Sequence, residues 1–138
     1  MTGGFDPLHS GHLEYLKAAK KLGDRLIVGL NSDVWLGRKK GKSFMPYKER
    51  KAILESIRYV NQVISFKDSD DTACDAIYKT LQLDEGNNNY VIFANGGDRS
   101  LNSTPEYLHF KDSTNVKFAF NVGSSVKRNS SSWILRDW

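Results

Sequence analysis

The stretch that decides the fold is Thr2 to Leu30, TGGFDPLHSGHLEYLKAAKKLGDRLIVGL. It begins with a Gly-Gly pair and an Asp6-Pro7 turn. Leu13, Leu16, Ala19 and Leu22 then recur at helical spacing. Ser10 is the expected N-cap of that helix and Gly23 its stop. After Gly23 comes a short apolar run at residues 25–30 (RLIVGL), read as a buried strand. A loop, a helix and a buried strand in that order are the opening of an α/β domain.

The same alternation continues outward. Residues 62–66 (QVISF) and 90–94 (YVIFA) read as buried strands, and residues 116–122 (VKFAFNV) as a strand nearer an edge. Pro46 opens a second helix, with Ala52, Ile53 and Ile57 expected inward. Ala73, Ala76, Ile77 and Leu81 mark a third, capped by Asp71 or Thr72. A last helix is expected from about Ser130 to the end, with Trp133 and Ile134 inward. Strands and helices in alternation imply a parallel sheet covered on both faces. Ligands of such sheets bind beyond the carboxyl ends of the strands. The first strand is the exception. Only Met1 and Thr2 precede Gly3, whereas a central strand runs about five or six residues. The strand is therefore short or truncated, and truncation is the preferred reading. Adding about five apolar residues should then stabilise the domain markedly.

The 138 residues suit a single domain, 1–138, with a hydrophobic core of its own. No apolar run approaches the ~20 residues of a membrane span. No basic-then-apolar leader opens the chain, so a cytoplasmic protein is expected. The one cysteine, Cys74, cannot form an intrachain disulfide and reads as a packed small side chain. A net charge of +4 raises the question of nucleic acid. However, Lys17, Lys20 and Lys21 read as a solvated helix face, and the cluster Arg38, Lys39, Lys40, Lys42 suits a triphosphate as well. Nucleic acid is not the expected partner.

Residues 2–12 carry the chemistry. Two glycines let the backbone approach a ligand. A helix begins near Ser10, and its free N–H groups and dipole favour an anion. His9 and His12, three apart, share one side of that helix start. Imidazole N–H groups there can stabilise charge that builds on phosphate. A His-x-x-His pair also occurs in metal sites, but a tetrahedral site needs more ligands, and the third histidine, His109, is remote in sequence.

The string Gly4-Phe5-Asp6-Pro7-Leu8-His9-Ser10-Gly11-His12 resembles the G-x-F-D-x-x-H-x-G-H motif of the cytidylyltransferase-like nucleotidyltransferases. Residues 22–28 (LGDRLIV), followed by Asn31-Ser32-Asp33, resemble the second strand of the bacterial sugar-phosphate members. Residues 58–64 (RYVNQVI) are similar to the R-Y-V-D-E-V-I string of glycerol-3-phosphate cytidylyltransferases, with Asn61 and Gln62 in place of two acids. Asn95-Gly96-Gly97-Asp98 resembles the K-G-G-D turn of the heptose 1-phosphate adenylyltransferase domain, with Asn95 for lysine. Ser130-Ser131-Ser132 resembles the S-T-T of G-I-S-T-T, but Ser125 stands where that motif often has an arginine.

The resemblance implies a Rossmann-like three-layer sandwich of HUP type, with a parallel sheet of five strands. It implies transfer of a nucleotidyl group from CTP or ATP to a sugar or polyol phosphate, with Mg²⁺ expected and a homodimer as the usual assembly. A cofactor-precursor adenylyltransferase and a non-catalytic nucleotide sensor are the alternatives. The implied catalytic residues are His9, His12 and Lys39. Gly4, Phe5, Gly11, Lys40, Asn95, Gly97, Asp98, Ser130, Ser131 and Ser132 are implied to bind nucleotide, and Arg58 and Arg99 the acceptor. No metal ligand is identified.

Overall fold

The apolar run after the first helix forms the middle strand of a parallel sheet. A computed structural model describes residues 1–83, 90–97, 99–123 and 129–138. In it β2 (Ile27–Leu30) lies between β1 (Thr2–Gly3) and β3 (Gln62–Ile64). Thr2 is level with Gly29, and Val28 with Val63. Strands β4 (Val91–Ala94) and β5 (Val116–Ala119) pair in parallel as a second sheet. The helices are α1 (Ser10–Lys20), α2 (Asp33–Lys40), α3 (Tyr47–Glu55), α4 (Cys74–Gln82), α5 (Pro105–Phe110) and α6 (Ser131–Leu135).

Side chains alternate across a strand, so β2 is covered on both faces. Val28 and Leu30 join a core with Leu16 and Ala19 of α1, Leu54 of α3 and Val63 of β3. On the other face Gly29 meets Thr2, Ala76 of α4 and Phe66. Phe66, Ala76 and Ile77 continue into a second core with Phe93, Phe110 and Val116. The α/β class is therefore as read.

The five parallel strands, the first of them short as expected, are paired as a sheet of three and a sheet of two among the described residues. The reason lies in β1, which has only two residues and pairs with β2 alone. On β4, the Ala94 carbonyl accepts the Tyr15 hydroxyl at 2.7 Å. Beside β1 there is a cavity of about 360 Å³, lined by Met1 together with residues of β2 and β4. The Met1 amino group donates to the Ile27 carbonyl at 3.1 Å, and burial lowers its pKa from 8.0 to about 5.

Other local expectations change too. The N-cap of α1 is His9, not Ser10, and its C-cap is Lys21, before Gly23. In α3 the inward residues are Arg50 and Leu54, while Ala52 and Ile53 are exposed. Helix α4 starts after Ala73, without a side-chain cap. Helix α6 has five residues, and Trp133 and Ile134 point to solvent. Helices α2 and α5 were not expected. No helix among the described residues is long and apolar enough to cross a membrane.

Candidate active site

The carboxyl ends of β1 and β2 open into loops that are tied together from within. Asp6 is 2% exposed, and its two carboxylate oxygens accept the Phe44 and Met45 N–H groups at 2.6 and 2.7 Å. Lys40 completes the anchor, with Nζ 2.8 Å from Asp6 Oδ2 and 2.6 Å from the Asp6 carbonyl. Burial pushes the Asp6 pKa up, but these bonds outweigh it and hold the carboxyl below its usual range. Arg50, 1% exposed, does similar work. Its guanidinium donates to the carbonyls of Gly4, Asn31 and Met45 at 2.8–3.0 Å, and pairs with Asp33 at 2.5 Å. Asp68 takes the Ser32 N–H and hydroxyl, both at 2.8 Å, and the Asn31 amide at 3.2 Å. Each buried charge is thus hydrogen-bonded, as burial demands.

On this frame the loop presents two imidazoles. The Gly11 N–H donates to His9 Nδ1 at 3.1 Å, and the His9 N–H donates to His12 Nδ1 at 3.2 Å. Each Nδ1 therefore acts as an acceptor, and each ring carries a donor proton on Nε2. The rings stack, with centroids 3.7 Å apart and planes 25° apart. Burial, then the charges of His9 and Lys39, lower the His12 pKa from 6.5 to about 3. His12 is thus a neutral donor across the physiological range. Two glycines make this geometry possible. A Cβ on Gly11 would lie 3.0 Å from the His9 ring, and one on Gly4 would lie 2.8 Å from the Leu36 side chain. Phe5 beside them is buried at φ 52° and packs against His12, with centroids 4.8 Å apart.

Lys39 stands in the last turn of α2, with Nζ 4.9 Å from the centre of the Trp35 ring. Burial, then the charges of Lys40 and Arg99, lower its pKa. Lys39 thus senses Arg99 on one side and acts on His12 on the other. Arg99 follows β4, with Nη1 3.4 Å from Asn95 Oδ1 and 3.7 Å from Glu106 Oε1. His9, His12, Lys39 and Arg99 thus form a cationic and hydrogen-bond-donating group at the carboxyl end of the sheet. From the far end of the chain, the Ser131 hydroxyl donates to the Pro7 carbonyl at 2.9 Å. Ser130 caps α6 through the Trp133 N–H at 3.1 Å, and Ser132 lies 3.1 Å from Ser130. The serine triplet is therefore brought to the histidine loop.

Not every expected residue arrives free. The Lys40 ammonium is bound to Asp6. The Asn95 Nδ2 group donates to the Phe93 and Ala119 carbonyls at the β4–β5 end, while its Oδ1 faces Arg99. Gly97 lies in that turn at φ 66°, and Asp98 falls outside the described residues, as does Ser125. Arg58 does not reach the site. It precedes β3, at the amino end of the strands, and donates to the Tyr59 hydroxyl at 2.8 Å in an exposed pair. Cys74 is half-buried at the start of α4, and burial raises its thiol pKa, which suits packing rather than nucleophilic attack.

The residues that sequence reading missed are Asp6 as an anchor, Arg50, Asp68, Tyr15 and Glu106. Arg50 had a signal. Tyr47, Arg50, Leu54 and Ile57 share one helical stripe, and an arginine within an apolar stripe marks a buried cation.

Comparison with known proteins agrees with this geometry. Residues 1–124 match the family model described as Cytidylyltransferase-like. The chain is 41% identical over 81 residues to glycerol-3-phosphate cytidylyltransferase of Bacillus subtilis, covering 59% of this chain and 63% of that protein. It is 49% identical over 65 residues to the Staphylococcus aureus protein of the same name, covering 47% and 49%. It is 38% identical over 141 aligned positions to the bifunctional protein HldE of an Enterobacter species, covering 94% of this chain and 28% of that protein. These matches span less than two thirds of each relative's length. A lipopolysaccharide core biosynthesis protein of Thermoplasma volcanium shares the fold, with a TM-score of 0.65 at 22% identity over 91% of this chain and 94% of that one. With a family model spanning both cores and the histidine loop, the chain belongs to the cytidylyltransferase-like family.

Proposed function

We propose that this chain transfers a nucleotidyl group from CTP or ATP to the phosphate of a sugar or polyol phosphate, of the glycerol 3-phosphate or heptose 1-phosphate type. The observation that carries this reading is the histidine pair. Two imidazoles have their Nδ1 atoms held by backbone N–H groups, which puts a donor proton on each Nε2, with His12 neutral and Lys39 close by. Donors placed before the reaction, where charge will develop, are what phosphoryl-type transfer requires.

In the proposed step an oxygen of the acceptor phosphate attacks the α-phosphorus. The bond from that phosphorus to the bridging oxygen breaks, and pyrophosphate leaves. A phosphate monoester is largely ionised near pH 7, so no general base is needed, and catalysis consists of positioning and charge neutralisation. His9 and His12 donate to the α-phosphate and the leaving pyrophosphate. Lys39 adds a positive charge, Ser130–Ser132 hydroxyls bind the phosphates, and Arg99 takes the acceptor phosphate.

Mg²⁺ fits here as a companion of the nucleotide. Among the described residues no cluster of three His, Cys, Asp or Glu could hold it, and both Asp6 oxygens are occupied. It belongs to the substrate as the metal–triphosphate complex. The same proposal includes a homodimer through residues 58–64; sedimentation as a monomer at micromolar concentration would remove that part.

The test of the activity is a matrix assay pairing each of the four NTPs with phosphorylated acceptors, including cofactor precursors, and reading pyrophosphate release. Release with CTP or ATP and a sugar or polyol phosphate is expected. Release only with a cofactor precursor moves the acceptor class. Tight nucleotide binding with no release from any pair leaves a nucleotide-binding protein without turnover.

A further inference from the structure

Among the described residues, Glu106 is the buried carboxylate near the site with an oxygen that no hydrogen bond answers. It lies in α5 and is 1% exposed. Its Oε1 accepts the Ala73 N–H at 2.9 Å, where α4 begins. Its Oε2 is buried and has no hydrogen-bond partner among the described residues. An ionised carboxylate with an open oxygen is costly to bury unless a cation answers it. The cation at hand is Arg99, with Nη1 3.7 Å from Oε1. That distance is beyond hydrogen-bond range, and the second anchor of Arg99, Asn95 Oδ1, is also long at 3.4 Å. A guanidinium and a carboxylate are built for two parallel bonds, and here the pair is only half made.

We propose that Glu106 is a positioning residue, which aims the Arg99 guanidinium at an anionic substrate group by pairing with its inner edge. This rests on the reading of Arg99 as a phosphate contact. Thr104, 1% exposed, supports the same arrangement. Its hydroxyl donates to the Ser100 carbonyl at 2.7 Å and so ties the segment after Arg99 to the start of α5. The open Oε2 is the place the second guanidinium N–H takes when a ligand draws the side chain into register. Arg99 then meets phosphate with one edge while the other edge is held, and a planar fork held at one edge keeps its direction at the other.

The test uses the full chain and four proteins: wild type, Arg99→Ala, Glu106→Gln and the double variant. Glutamine keeps the shape and an oxygen to accept the Ala73 N–H, removes the charge and replaces the second acceptor oxygen with an amide NH2. CTP, ATP and glycerol 3-phosphate are titrated separately by calorimetry, and each protein is melted. A probe that loses about tenfold in affinity in Arg99→Ala should lose about as much in Glu106→Gln and no more in the double variant. The double variant should also melt above Arg99→Ala, because it no longer leaves a buried carboxylate unpaired. Unchanged affinity in Glu106→Gln for a probe that senses Arg99→Ala overturns the proposal, as do losses that multiply in the double variant. A wild-type chain that binds none of the probes overturns the reading of the site itself, and this proposal with it. If Glu106→Gln fails to fold, the melting of Arg99→Ala still decides: a temperature equal to wild type overturns the pairing.

Discussion

The two halves of the molecule hold their loops by different means. Around β1–β3, the buried polar side chains Asp6, Asn31, Arg50 and Asp68 reach across 17 to 46 residues of chain to bond backbone and side-chain groups at 2.5–3.2 Å. Around β4 and β5, packing is aromatic. Phe118 meets Phe93 and Tyr107 edge to face, at 5.9 and 5.4 Å, and Phe110 lies 5.0 Å from Tyr78. The polar contacts of Arg99 on that side are long, and one buried oxygen is left open. The first half therefore sets the direction of the two imidazoles before a ligand arrives, as the proposed reaction requires. The second half keeps slack next to Arg99. In the proposed reaction the first half serves the chemistry common to all acceptors, and the second meets the group that differs among them.

The sharpest way to break this contrast is to cut the first half's ties. Arg50→Ala should destabilise the fold by about 3–5 kcal/mol, since it strips three carbonyls and the Asp33 carboxylate of their partner at once. Urea unfolding would measure it. A loss near that of an average surface substitution would mean that the cross-links are not what holds the loops.

Next comes the histidine pair. His9→Ala and His12→Ala should each lower the rate on the order of 10²-fold or more, with the fold retained. Near-normal turnover in both would strip the pair of its role and leave the first half a purely structural frame.

A smaller effect should follow pH. His12 is a base whose pKa falls on folding, from 6.5 to about 3. Between these values the unfolded chain binds the extra proton, so stability rises with pH across that window. Asp6 acts in the same sense. Its lowered pKa gives stability that is present above about 4 and lost as pH falls. The protein should therefore melt about 5 °C or more higher at pH 8 than at pH 5 in calorimetry. Equal melting temperatures would show that the His12 ring takes up a proton at no cost to the fold.

What the sequence disclosed follows the range of each signal. Apolar runs and helical stripes are local, so β2 to β5, α1, α3 and α4 were legible, as was the loop from Gly3 to His12. Helix α2 was not, because DVWLGRKK carries a glycine and no apolar stripe. Missing it hid the fact that Lys39 and Lys40, adjacent on a helix, point in different directions, one toward Trp35 and one to Asp6. Asp6 looked like part of a turn because its partners, 38 and 39 residues away, are backbone N–H groups, which no residue type announces. Trp133 and Ile134 read as inward because the helix was expected to be long, whereas a helix of five residues is held instead by Ser131 on Pro7. Arg58 was placed at the site by resemblance alone. The rule that ligands meet the carboxyl ends of strands argues against a residue that precedes β3.

The caps on His9 and His12 have one more consequence, for cations. A His-x-x-His spacing usually invites zinc or nickel, which bind the lone pair of a neutral imidazole. Here both Nδ1 lone pairs face backbone N–H groups, and the Nε2 edges carry protons. To chelate, each ring would have to release its helix cap or shed its outward proton. The loop thus sorts its ligands by sign, offering donors to anions while withholding from soft metal ions the electron pairs that its sequence advertises.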